Sequence, residues 1–374
     1  MKLINNIKKN LINIPGWRTN RKIVVFESDD WGSIRMSSKK SYDYLVKKGY
    51  PLYQSIYNSN DILESNNDLE RLFEVLSNSK DYNGNSALFT INNIVANPDF
   101  NKIKNSNYQE YYFEPFTETL KKYPKHDRVM NLYLQGINNK LIKPQFHGRE
   151  HVHVPHWLKS LQSGDVDSID AFNNNMFTIN SGRNENCRKV FLDAMGTYSI
   201  AQLKSLESAI KQGSDLFEEI WGYRSKTVIP SCYVWHSDIE LFFRKVGINV
   251  IQSSRVQLCP QFNSNHYKVI RRYTGQKSDY NLNYTIRNVI FEPSENQDFD
   301  WVNSCLSEIK TAFFWKKPAI ISTHRVNYMA GLNMKNADNG LFKLQELIKN
   351  ISRFWPDVEF LSSDQLSDII CKGE

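Results

Sequence analysis

No stretch of this sequence has the length and apolarity of a membrane span, because Asn and Lys interrupt the apolar runs throughout; a bilayer crossing needs about 20 consecutive apolar residues. The first 16 residues carry Leu3, Ile4, Ile7, Leu11, Ile12 and Ile14 but no continuous apolar core of a secretory signal, so a cytoplasmic setting is expected. Residues 3–14 are greasy on one face only. They are expected to pack on the protein's own surface as a short amphipathic helix, with docking to a membrane or a partner as the alternative. Thiol chemistry is equally thin. The five cysteines, Cys187, Cys232, Cys259, Cys305 and Cys371, are odd in number, far apart and never in a C-x-x-C pair, which excludes a disulfide framework or a thiolate metal site. A basic stripe is missing too. The net charge of +7 is spread over pairs such as Lys8-Lys9 and Arg271-Arg272, so no nucleic-acid partner is expected. There is no internal repeat and no linker, and the 374 residues are read as one catalytic domain over 1–374, with its core over about 20–365 and an insertion over roughly 50–135.

What is present is enough apolar and aromatic content, 40% and 13%, to bury a substantial core. Short apolar strands are predicted over 22–26, 87–91, 142–147, 248–252, 285–291, 319–323 and 358–361. Helices are predicted between them, for example over 63–76, 200–211, 239–246, 301–314 and 341–354, where Leu203, Leu206 and Ile210 share one helix face. Alternation of this kind implies an α/β fold with parallel strands. Segments 50–57, 97–112 and 172–187 are rich in Asn, Ser and Tyr and read as loops or small subdomains above the strand ends. Solvated loop is the plain reading. A sugar-binding lid is the other, since aromatics beside amides suit carbohydrate faces.

The chemistry concentrates at strand ends. His147-Gly148-Arg149-Glu150-His151 follows the strand over 142–147, and Asp29-Asp30 follows the strand over 22–26. Two imidazoles and a carboxylate are natural ligands for a borderline metal such as zinc, and the second aspartate is left over for proton transfer. His324 closes another predicted strand. Barrel enzymes collect their active sites on that rim, and a metal-dependent hydrolase is the implied class. Trp31, beside the acids, and Trp157 are candidates for a sugar or acetyl pocket, with core packing as the rival role. Asn327 is a candidate substrate contact. His153 and His156 offer a second ligand set, whereas His126, His236 and His266 read as structural.

With those residues in view, the chain resembles the polysaccharide deacetylase superfamily, the NodB-homology carbohydrate esterases. Phe26-Glu27-Ser28-Asp29-Asp30-Trp31-Gly32 is similar to its first motif, and His147-Gly148-Arg149-Glu150-His151 to its second, H-x-x-x-H. Gly222-Tyr223-Arg224 with Pro230 resembles the third, and Ile320-Ile321-Ser322-Thr323-His324 the last. The resemblance spans about residues 20 to 330. It implies a distorted (β/α) barrel of about seven parallel strands with long inserted loops, and removal of an N-acetyl group from an amino sugar.

Carried over residue by residue, the resemblance implies one divalent ion, zinc by preference, on Asp30, His147 and His151. Asp29 would be the general base, paired with Arg224, and His324 the acid that protonates the leaving nitrogen. Three departures are visible. Arg224 and Pro230 are six apart rather than two, so the backbone oxyanion donor is unplaced, with Ser231 as the candidate. Asp298-Phe299-Asp300-Trp301 supplies the candidates for the group that orients His324. The separation between Asp30 and His147 is large, so inserted elements are expected to reshape the substrate groove. Two rivals stay open: the same fold acting on a non-sugar C–N amide or a glycosidic bond, and a silent glycan-binding member.

Overall fold

The structure is a computed structural model and describes residues 10–179, 186–264 and 266–373; most of the helix expected over 3–14, and part of segment 172–187, lie outside them. Lys22–Trp31 forms strand β1, buried along nearly its whole length. The strands that join it in one sheet are β2 (Phe89–Ile94), β3 (Ile142–Gly148), β4 (Thr227–Val228), β5 (Val250–Ser253), β6 (Asn283–Ile286), β7 (Val289–Ile290), β8 (Ala319–His324) and β9 (Val358–Phe360). Every pairing in that sheet is parallel. The order is β6-β5-β4-β3-β2-β1-β8-β7, with β9 beside the start of β1.

The two ends of that order are neighbours in the chain. Only Arg287 and Asn288 separate β6 from β7; the Arg287 amide donates to Ser253 of β5 (2.9 Å), and the Asn288 amide to Ile320 of β8 (3.2 Å). One run of chain therefore pairs with β5 in its first half and with β8 in its second, and the sheet closes as a distorted barrel. Counting β6 and β7 as one position gives seven parallel strands around the barrel, the architecture expected from the sequence.

Helices wrap the barrel because their apolar stripes match its outer face. Helix α1 (Asn66–Ser77) starts at a Ser65/Asp68 capping box. Helix α2 (Ile200–Trp221) runs ten residues beyond the predicted span, ending at left-handed Gly222. Its Gly213 lets the helix lie against β3, since a Cβ there would meet Arg149 Cβ at 2.9 Å and Phe146 Cζ at 3.0 Å. Helices α3 (Trp301–Phe314) and α4 (Met334–Phe354) bury Ile309, Leu344, Ile348 and Ile351. No helix among the described residues is long and apolar enough to cross a membrane.

Inside the barrel the filling changes with height. At the bottom, Leu366 and Ile370 of the terminal helix α5 (Ser363–Lys372) pack on Ile23, Val25 and Ile320. Above them lies a polar layer. Gln252 bonds Asn92 and Thr227, and Thr227 bonds Gln145, all within 3.0 Å. Buried amides of this kind hold position only when their partners are satisfied, and this layer is the floor under the rim.

The closing seam depends on Asn288, whose side chain accepts from the Ile320 amide (2.8 Å) and donates to the Pro318 carbonyl (3.0 Å). Asn288→Ala should lower the unfolding free energy by about 1–3 kcal/mol in urea titrations, because the Ile320 amide loses its side-chain partner; a loss near zero would mean that the seam does not depend on this residue.

Candidate active site

In a regular strand successive side chains point to opposite faces, so Asp29 and Asp30 ought to diverge. They do not. The pairing of β1 with β2 slips between Ser28 and Trp31, and Asp30 takes φ 75°, a left-handed value uncommon outside glycine. This bulge turns Asp30 back toward the barrel mouth, so both carboxylates line one cavity. Gly32, at φ +81°, completes the turn where a Cβ would lie 2.4 Å from the Ile94 carbonyl oxygen.

Asp30 Oδ1 is 3.4 Å from His147 Nε2 and 3.2 Å from His151 Nε2, and one ligand atom from each of the three residues lies within 4.8 Å of the others. His147 Nδ1 is 2.8 Å from the Ile229 carbonyl oxygen, to which it can only donate. That leaves Nε2 as the ring atom facing the Asp30 carboxylate oxygen, and the one that would ligate a cation held between them. Burial pushes His151 down to about 3, which keeps it neutral as a ligand must be. Burial opposes the charge on Asp30, but Arg35 holds it well below the usual carboxylate range.

The wider charge count supports the same fit. Six buried carboxylates, those of Glu27, Asp29, Asp30, Asp61, Glu64 and Glu292, face Arg35, Arg287, Arg325 and a protonated His324. The group is two positive charges short. Burial raises Glu27 in spite of Arg287, and it pushes Asp61 up to about 6 in spite of Arg325. A divalent ion beside Asp30 would supply the missing charge, and a carboxylate with two imidazoles is a donor set that zinc accepts.

Beside this cluster, Asp29 is held by a fork. Arg287 Nη1 donates to its Oδ2 (2.6 Å) and Nη2 to its Oδ1 (2.7 Å), while Asn92 Nδ2 donates to Oδ1 (2.8 Å). Arg287 Nε reaches Glu27 at 2.7 Å. Burial works against the charge of Asp29, but Arg287 prevails and holds it below the ordinary range. His324 Nε2 lies 3.7 Å from Asp29 Oδ2, and its Nδ1 is 2.6 Å from Glu292 Oε1. Burial disfavours the imidazolium, yet Glu292, Asp29 and Asp30 outweigh it and raise His324 to about 9. A carboxylate and a proton donor thus face the same cavity.

The structure brings Asp29, Asp30, His147, His151 and His324 together and leaves the other expected site residues elsewhere. Arg224 precedes β4 and so lies at the opposite end of the barrel from the rim; it pairs with Asp215 (2.7 Å) and Glu218 (2.8 Å) on the surface. Its expected place beside Asp29 is taken by Arg287. Trp31 is fully buried, with its indole N–H on Ser28 Oγ (2.9 Å) and its ring edge-on to Tyr133, and Trp157 is core as well. Ser231 is fully buried, while its neighbours Pro230 and Cys232 line the cavity. Asn327, also fully buried, donates to Glu292 Oε2 (2.7 Å) and so props the partner of His324 rather than touching a substrate. Asp300 caps α3, and the carboxylate found on His324 Nδ1 is that of Glu292. His153 is 3.0 Å from the Gly196 carbonyl and stacks on His156, and neither belongs to the Asp30–His147–His151 cluster.

Arg287 and Glu292 are two site residues that no motif marks in the sequence. Their signal was present: a lone cation inside the predicted strand over 285–291, and a carboxylate directly after it. Arg35 was also missed. It donates to Asp30 Oδ2 (3.3 Å) and lies between the rings of Tyr57 and Phe177.

No family model and no curated protein matches this chain. Among solved structures it is similar to a probable polysaccharide deacetylase from Pseudomonas aeruginosa PAO1, at TM-score 0.45 and 8% identity over 93% of this chain and 91% of that one. The Puue allantoinase gives 0.44 and 10% over 95% and 93%. A 4-alpha-glucanotransferase from Thermococcus litoralis gives 0.43 and 9% over 92% of this chain, which spans only 40% of that enzyme's length.

The two arginines separate cleanly by stability. Arg287→Ala should cost about 3–5 kcal/mol in chemical denaturation, since it strands two buried carboxylates, whereas Arg224→Ala should cost less than about 1 kcal/mol. Equal losses would contradict the assignment of the buried fork to Arg287.

Proposed function

We propose that this protein is a metal-dependent hydrolase that removes an N-acetyl or related acyl group from an amino sugar. The observation that carries the reading is the juxtaposition at one cavity of the Asp30–His147–His151 cluster with the pair Asp29 and His324. Bound on those three residues, a divalent ion, zinc by preference, supplies water activation and polarisation of the acyl carbonyl.

The remaining steps belong to the chain. Asp29, ionised and aimed by the Arg287 fork, takes a proton from the attacking water. His324, charged at neutral pH through Glu292, gives its Nε2 proton to the leaving nitrogen, which is too basic to depart as an anion. Asn327 holds Glu292 in place from behind. Tyr57 and Tyr233 line the cavity and offer flat faces with polar tips that suit a sugar ring. A glycosidase would need a carboxylate acid and a carboxylate nucleophile across the scissile bond. Here Asp29 is bound to Arg287 and Asp30 faces the imidazoles, which disfavours that alternative.

Two experiments test the reading. Asp29→Asn should abolish acetate release from N-acetylated sugars while the protein still takes up about one divalent ion per chain by elemental analysis; undiminished turnover in that variant would refute the base assignment. The pH profile is the second. His324 is protonated below about 9, so activity should fall as pH rises through that value. Glu292→Gln removes the main cause that raises His324 and should move this alkaline limb to lower pH; a limb that stays in place would show that His324 is not the titrating acid.

A further inference from the structure

The cavity over the cluster has a volume of about 390 Å³, near the lower end of the roughly 300–1,000 Å³ typical of small-molecule sites. Its walls come from separate parts of the chain. Tyr57 stands on the short helix Ile56–Asn60, Leu192 on the segment after residue 186, Cys232 and Tyr233 on the turn after β4, and Ile290 on β7. Residues from these separate segments line one cavity over the Asp30–His147–His151 cluster, and its small volume suits a single sugar unit with its acyl group, whereas a polymer threading past the catalytic groups needs a longer groove.

The walls are also fixed. The Tyr57 ring lies edge-on to His324 at 5.8 Å, and the Arg35 guanidinium sits over it at 5.2 Å. Its helix is tied down by Asn58 Nδ2 donating to the Ile179 carbonyl at 2.6 Å. After β4, Cys232 and Tyr233 both take the left-handed backbone at φ 56° and line the same cavity as Tyr57. The Tyr233 hydroxyl is 3.5 Å from Arg287 Nη1, and the Cys232 thiol is 3.7 Å from the Leu192 carbonyl. Tyr57 thus packs against His324 itself and Tyr233 reaches Arg287, which holds Asp29, so moving either aside would disturb the machinery.

We infer that the site takes a single N-acylated sugar unit end-on, free or as the terminal unit of a chain, and does not accept internal units of a polymer. This rests on the reading of the protein as a deacylase and narrows its substrate class. Segment 50–57, read from sequence as a loop above the rim, supplies one of the walls that exclude a through-running chain.

The test uses the full chain loaded with zinc, with N-acetylglucosamine, its methyl glycoside and the β-1,4-linked tetramer as probes. The expected result is turnover of the monosaccharides with kcat/KM at least equal to that of the tetramer, and at most one acetate released per tetramer. Tyr57→Ala should raise the tetramer-to-monomer ratio of kcat/KM by about tenfold, and a ratio leaves aside any general loss of folded enzyme. Calorimetric titration of Asp29→Asn with the same probes should show equal affinity for monomer and tetramer. Release of several acetates per tetramer, tetramer affinity well above that of the monomer, or an unchanged ratio in Tyr57→Ala would overturn the inference and leave the deacylase reading intact. Absence of turnover on every probe, with the ion bound, would overturn both.

Discussion

The left-handed bulge at Asp30 is the constraint on which the site depends. A strand presents alternate residues to its two faces, and an unbroken β1 would aim only one of the adjacent aspartates into the barrel. The slip between Ser28 and Trp31, with φ 75° at Asp30, sends both to the same cavity. Asp29 remains in line with Glu27, two residues earlier, and both meet Arg287. Asp30 is freed to face the two imidazoles. A non-glycine residue in this conformation costs on the order of 1–3 kcal/mol, and the hydrogen bond from Arg35 to Asp30 Oδ2 helps to hold it there.

Closure of the barrel and charging of the site are one event in this chain. The two residues that carry the strand from β5's side to β8's side are Arg287 and Asn288. Asn288 stitches the seam on the β8 side through Ile320, and Arg287 turns inward to hold Glu27 and Asp29. Just beyond β7 comes Glu292, which governs the charge of His324. The segment that completes the fold therefore also sets the protonation of the proposed base and acid. The excess of buried carboxylates over cations is then what a divalent ion would balance; burial, with Asp30 adding to it, pushes Asp61 up to about 6 although Arg325 lies at 2.9 Å.

Much of this was legible in the sequence where a physical signal is local. Strand ends bearing Asp29, Asp30, His147 and His324 marked the rim, because a charged side chain directly after an apolar strand has few other places to go. Helix positions followed from apolar spacing, except that α2 outran its prediction across Gly213 and α4 began seven residues early at its Asn333 cap. What failed was pairing across distance. Arg224 was chosen for its place in a motif, yet it stands at the wrong end of β4 for contact with Asp29, and sequence order carries no information about which end of the barrel a loop occupies. Trp31 stands next to the motif acids, and adjacency does not tell whether a side chain faces the cavity or the core. Asn327 sits one layer behind the chemistry for the same reason.

The central claim, that Asp30, His147 and His151 surround one cation, is tested most directly by crystals of the protein grown with zinc and measured across the zinc absorption edge. The account predicts a single strong anomalous peak in the barrel mouth, about 2.0–2.2 Å from Asp30 Oδ1 and from both Nε2 atoms. A peak elsewhere on the chain, or three ligand residues with no anomalous density between them at saturating zinc, would contradict it.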